Sequence, residues 1–154
     1  MIQPISFLPF NYYNKQPIVN KVDNIQPISN SSDVITFTGS KWPKPDLKQL
    51  WDKGKLPTVK YGFYGDKLTS LNITREHLLP KSKGGKKTYD NIVLASRDRN
   101  MARSNNDITL FADKQTAKDY LKQWENVKLK ELDGRKYIRL IKKTLKFLGL
   151  DLDK

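Results

Sequence analysis

From residue 46 onward, apolar positions fall into short periodic runs parted by polar turns. Leu47, Leu50 and Trp51 recur at helical spacing behind Asp46, a good N-cap, and Gly54 suits the position that ends the turn, so a short helix is predicted. Thr58–Tyr64 alternates with the period of a half-buried strand and runs into a Gly65-Asp66 turn. Leu71–His77 reads as a second strand. Pro80–Tyr89 is polar and basic around Gly84-Gly85 and must be loop. Ile92-Val93-Leu94 is short enough for a buried strand, and Ser96 or Asp98 can open a helix after it. Asp113 caps a further helix with apolar positions Ala117, Tyr120, Leu121, Trp124 and Val127. Asp133-Gly134 breaks that pattern, and a last helix carries Ile138, Ile141, Leu145 and Leu148 at three-to-four spacing. A run of strands followed by a run of helices predicts an α+β domain.

The first forty residues follow no such period. They hold four of the eight prolines, and Ile2-Gln3-Pro4-Ile5-Ser6 recurs letter for letter as Ile25-Gln26-Pro27-Ile28-Ser29. Spaced prolines forbid a helix and disfavour a central strand, so 1–40 is expected to be an extended or disordered tail, with Val34–Thr38 as its one short edge strand. The domain is then 41–154, with its central motif at about 58–106 and helical support at 113–150.

Charge separates the same two parts. Residues 1–40 carry Lys15, Lys21, Asp23 and Asp33 and are neutral, which leaves the whole net charge of +13 to the rest of the 154-residue chain. A field of that sign concentrates polyanions, so nucleic acid is the natural partner. The absence of cysteine excludes a disulfide framework, thiolate zinc and a cysteine nucleophile together. No apolar run is long enough to span a membrane and no secretory leader is recognisable at Met1–Gln16, so an intracellular, cytoplasmic place is expected.

The chemistry concentrates between Ile73 and Asn105. The only histidine, His77, follows Glu76 at a strand end, with Pro80 three residues on. Gly84-Gly85, Asp90-Asn91 and Asn100 come after it in order. Alone, each has a bland reading: a lone histidine is more often structural, and a lysine loop is usually a solvated one.

Together, Glu76-His77, Pro80, Gly84-Gly85, Asp90-Asn91 and Asn100 resemble the HNH nuclease family, whose motif sits on a ββα-metal fold. The spacing, the terminal Asn and the trailing Arg103-Ser104-Asn105 are similar to the HNH domains of CRISPR effector nucleases. The resemblance implies a small ββα-metal core, flanked here by the short N-terminal helix and the two C-terminal helices. Two departures stand out. Glu76 occupies a position where Asp is commoner. Where many relatives carry two Cys-x-x-Cys pairs, this chain has Tyr61-Gly62-Phe63-Tyr64 and then Ser96 and Arg99, so no structural zinc is expected and aromatic packing is expected to replace it.

The resemblance also implies roles. Hydrolysis of a phosphodiester needs an activated water and charge neutralisation at the phosphoryl oxygens. His77 is the candidate general base, and Glu76 and Asn100 are hard oxygen donors suited to one Mg²⁺ or Mn²⁺. Asn91 is expected to brace the loop and orient the histidine, and Arg103 to hold a neighbouring phosphate. Lys81, Lys83, Lys86 and Lys87, with Arg97 and Arg99, are candidate contacts to the backbone of double-stranded DNA. The alternatives are a catalytically silent nucleic-acid-binding module on the same fold, and a basic protein of the membrane surface using residues 135–148.

Overall fold

The computed structural model describes residues 46–154. The expected tail at 1–40, its repeat and the Val34–Thr38 strand lie outside them.

The described residues form an α+β domain around a two-stranded antiparallel sheet, β1 (Ile73–His77) and β2 (Ile92–Ser96). The register pairs Ile73 with Ser96, Arg75 with Leu94 and His77 with Ile92. Before the sheet lies α1 (Leu47–Asp52). After β2 come α2 (Arg97–Arg103), α3 (Ile108–Phe111), α4 (Lys114–Lys122) and α5 (Gly134–Phe147). The join between β2 and α2 takes no loop. Ser96 ends the strand in extended conformation, and its hydroxyl accepts from Arg99 N–H, so the chain turns directly into helix.

β2 is buried along its whole length, which is why it reads as an uninterrupted apolar run rather than an alternating one. A strand with only one strand neighbour still has an unpaired edge to satisfy. Here Leu94 O accepts from Phe63 N–H at 2.8 Å, and two tyrosines do the rest. Leu94 N–H donates to the Tyr120 hydroxyl (3.0 Å), and the Tyr137 hydroxyl donates to Ile92 O (2.9 Å). The two hydroxyls are 3.1 Å apart, so Tyr120 passes its proton-side bond to Tyr137 and every partner is satisfied. Trp124 packs against both rings. Tyr120, Trp124 and Tyr137, with Ala117, Leu121, Ile141 and Leu145, form the core behind β2.

Several predicted elements differ. Thr58–Tyr64 is not a strand; its only ladder contact is one bridge between Tyr61 and Lys67. The reason is Gln123, whose side-chain amide accepts from Lys60 and Tyr61 N–H (2.8 and 2.9 Å) and donates to Tyr61 O (3.1 Å). A side chain thus takes the backbone bonds that a neighbouring strand would have taken. β1 starts at Ile73 rather than Leu71, because Asn72 folds 69–72 into a turn by accepting from Thr69 N–H. Pro80–Tyr89 includes a short 3₁₀ turn at Lys81–Lys83. The helix capped by Asp113 ends at Lys122, and Trp124 and Val127 reach the core from the turns beyond it. Asp133-Gly134 does not only break a helix but starts one: the Asp133 carboxylate caps α5 through Lys136 N–H at 2.8 Å. Its buried face is Tyr137, Ile141, Thr144 and Leu145; it includes the predicted Ile141 and Leu145, while Ile138 and Leu148 pack against the core half-buried.

Candidate active site

The site grows from the end of β1. Beyond His77 the chain enters the loop 78–91, and Asn91 holds that loop closed. Its Oδ1 accepts from Leu79 N–H (2.8 Å), while its Nδ2 donates to Leu79 O (3.1 Å) and Lys86 O (2.9 Å). Leu78 N–H adds a bond to Asn91 O. Both glycines are required. Gly84 takes a left-handed φ of 89°, and a Cβ on Gly85 would stand 1.7 Å from Leu79 O. The Gly pair therefore lets the loop press against Leu79, where the buried Asn91 can reach both sides of it.

The outer edge of β1 is held by α2. Arg75 and His77 face Leu94 and Ile92 across the sheet, at positions whose backbone groups point outward on both strands. Asn100 Nδ2 donates to Arg75 O (3.0 Å) and to the Thr74 hydroxyl (3.1 Å). Arg103, one turn further, donates through Nη1 to His77 O (2.6 Å), through Nη2 to Leu78 O (2.7 Å) and through Nε to Asn106 O (3.1 Å). Its Nη1 also donates to Glu76 Oε1, closing a buried ion pair. The Tyr64 hydroxyl donates to the same oxygen at 3.1 Å. Burial pushes the Glu76 carboxyl up, against the pull of Arg103 and Tyr64. The guanidinium favours the ionised carboxylate, since a neutral Glu76 would leave the arginine charge unpaired in the interior.

This corrects the expectation for Arg103. The side chain is 1 % exposed, and four of its five N–H donors bond inside the protein, so it is not placed to hold an external phosphate.

His77 is half-buried. Burial lowers its pKa from 6.5 to about 4, and the charges of Lys81, Lys87 and Arg103 push the same way. The imidazole is neutral across the physiological range. Nε2 is sealed from solvent without a partner. The oxygens left for a cation are Glu76 Oε2 and Asn100 Oδ1, for which no hydrogen bond exists among the described residues. No group of three His, Cys, Asp or Glu gathers among the described residues. Carboxylate and amide oxygens are the donor type that suits Mg²⁺ or Mn²⁺, which dehydrate reluctantly and rarely use an all-protein cage.

The six candidate cations divide. Lys81, Lys83, Lys86 and Arg97 are exposed, and Lys81 stands near enough to His77 to depress its titration. Lys87 pairs with the Asp46 carboxylate at 3.0 Å and Arg99 with Asp66 at 3.2 Å, so both also serve the fold. Asp46 deserves its own account, because it caps α1 through Gln49 N–H and binds Arg75 at 2.7 Å. Burial opposes its charge, but those partners outweigh it and hold the carboxyl below the usual range.

Three residues of the site's surround escaped the sequence reading. Tyr64, Asp46 and Asp66 each bridge segments distant in sequence. Asp66 ties the Tyr61–Lys67 knuckle to α2 by accepting from the Ser96 hydroxyl (2.6 Å) and Arg99 Nε. Phe63 meets Tyr64 and Tyr120 edge to face. That clamp and those rings join the Tyr61–Lys67 segment to β2, the start of α2 and α4. The one available signal was the Tyr61–Tyr64 aromatic run. No family model, curated protein or solved structure matches the chain. Among the described residues no helix is long and apolar enough to cross a membrane.

Proposed function

We propose that this chain is a metal-dependent endonuclease of the HNH type that hydrolyses phosphodiester bonds in double-stranded DNA inside the cell. The observation that supports it most is the presence, on one strand–loop–strand–helix unit, of a neutral imidazole at the end of β1 and two oxygens that no hydrogen bond among the described residues uses, Glu76 Oε2 and Asn100 Oδ1. A pile of basic side chains alone would favour binding without chemistry; this grouping favours hydrolysis.

His77 takes a proton from the attacking water. Because Nε2 is sealed, Nδ1 is the working nitrogen. With a pKa of about 4 the ring needs no prior deprotonation, but it is a weak base and relies on the nearby phosphate charge to hold the proton it gains. Glu76 and Asn100 would hold one Mg²⁺ or Mn²⁺, which neutralises charge on the phosphoryl oxygens when bound. Asn91 fixes the loop behind His77. Lys81, Lys83, Lys86 and Arg97 hold the DNA backbone without reading sequence.

The test is conversion of supercoiled plasmid to open circle in Mg²⁺, Mn²⁺ or EDTA, comparing wild type with His77→Ala. The expected result is nicking that needs the metal and falls by at least about 100-fold in the variant, the usual scale of a lost general base. A wild type that shifts plasmid on a gel but never nicks it would instead make the chain a silent binding module. The commitment of Glu76 Oε1 to Arg103 and Tyr64 is the feature that favours that second reading.

A further inference from the structure

We infer that Arg103 is a positioning residue whose guanidinium sets the backbone of the β1 end, and through it the direction of the His77 imidazole and the Glu76 carboxylate. This rests on the nuclease reading for its kinetic consequence, though not for its geometry.

Three consecutive residues are gripped by one side chain: the carboxylate of Glu76 and the carbonyls of His77 and Leu78. Those carbonyls lie where the sheet ends and no strand can supply a donor. The fork of a guanidinium suits two neighbouring acceptors plus a carboxylate, and its charge makes each bond shorter and stiffer than a neutral one. On the other side of His77, Leu78 N–H is tied to Asn91 O and Leu79 to the Asn91 amide. The peptides that follow the His77 α-carbon are therefore held between Arg103 and Asn91.

The opposite face of Arg103 supplies an independent sign. Ser104, directly after it, has φ 51° and ψ −125°, a conformation that favours glycine. It is the only non-glycine residue with positive φ among the described residues. The turn it makes returns Asn106 O to Arg103 Nε, and Asn106 N–H closes on Arg103 O at 3.0 Å. The strained turn thus completes the set of acceptors that holds the guanidinium still. The Tyr64 hydroxyl on Glu76 Oε1 completes the other end, leaving Oε2 as the oxygen without a hydrogen bond among the described residues.

The experiment uses the full chain with Arg103→Lys, which keeps the charge but loses the fork, and Tyr64→Phe as the milder second variant. Nicking kinetics and the salt dependence of DNA binding are measured beside the NMR signals of the imidazole, which is unambiguous because His77 is the only histidine. In Arg103→Lys, kcat is expected to fall by about 100-fold, as misplacing a reacting group by about 1 Å does, with KM and the salt slope unchanged. The imidazole signals are expected to move toward those of a free histidine. Tyr64→Phe should shift both readouts the same way by less, and it carries the test if Arg103→Lys does not fold. A raised KM with kcat and the imidazole signals unmoved would make Arg103 a substrate contact and overturn the inference. If wild type never nicks, the nuclease reading fails by itself, and the imidazole signals alone decide: unmoved signals in both variants would overturn the positioning role.

Discussion

The two outer edges of one small sheet are closed by opposite means. Behind β2, the outward-pointing backbone groups of Leu94 and Ile92 are met by two neutral hydroxyls chained between Tyr120 and Tyr137, with Phe63 N–H on Leu94 O. Beside β1, the facing row of Arg75 and His77 is met by an amide and a guanidinium from α2, with Glu76 as the buried counterion. Neutral closure is self-contained and lets the surroundings be wholly apolar. Charged closure needs a partner in the interior, but it also fixes direction, which a catalytic end requires and a supporting edge does not. That difference explains why the candidate chemistry sits at one edge and the largest aromatic side chains at the other.

The sharpest way to break this comparison is to remove the charge at the β1 edge. Arg103→Ala should cost about 3–5 kcal/mol in urea unfolding, because it leaves the Glu76 carboxylate buried and unpaired. Replacing both partners, Glu76→Leu with Arg103→Met, should recover most of that loss while leaving the protein without nicking activity. A double variant as unstable as Arg103→Ala would show that the carbonyl contacts, not the counterion, carry the stability.

The neutral edge should yield less. Tyr137→Phe strips Ile92 O of its donor and Tyr120 of its acceptor, at about 1–3 kcal/mol by the same unfolding measurement. Nicking by the folded variant should be unchanged. A drop in kcat with unchanged stability would mean that the two edges communicate across the sheet.

The smallest effect is one of pH. The folded His77 pKa, about 4, lies below its ordinary value of 6.5, so the unfolded chain binds the proton first as pH falls. Stability contributed by the neutral ring is complete above about pH 6.5 and is lost between there and about pH 4. Melting temperatures of wild type and His77→Gln should therefore converge as pH falls through that window. Parallel curves would place the imidazole in water.

Much of this was legible along the chain. Asp46, Ser96 and Asp113 all cap helices through local hydrogen bonds, which depend on residues only three apart, whereas Asp133 read as a break. β2 announced itself as a continuous apolar run. Gly84-Gly85 was recognisable as loop from its glycines and polar neighbours, while the brace at Asn91 was expected only through the resemblance to HNH nucleases.

What could not be read is what a side chain does to backbone far from it. Gln123 undoes the Thr58–Tyr64 strand across more than sixty residues, and its letter says nothing of that. Tyr120 and Tyr137 fit their helical period as apolar rings, while their hydroxyls act as the missing strand. Arg103 has the composition of a phosphate contact, and only its burial against Glu76 turns its donors inward. Sequence by itself determined the caps, the turns, the buried strand and the order of the candidate site residues, because each follows from neighbours in the chain. Tertiary structure decided the partners of long polar side chains, because reach and burial, not residue type, choose among the acceptors available.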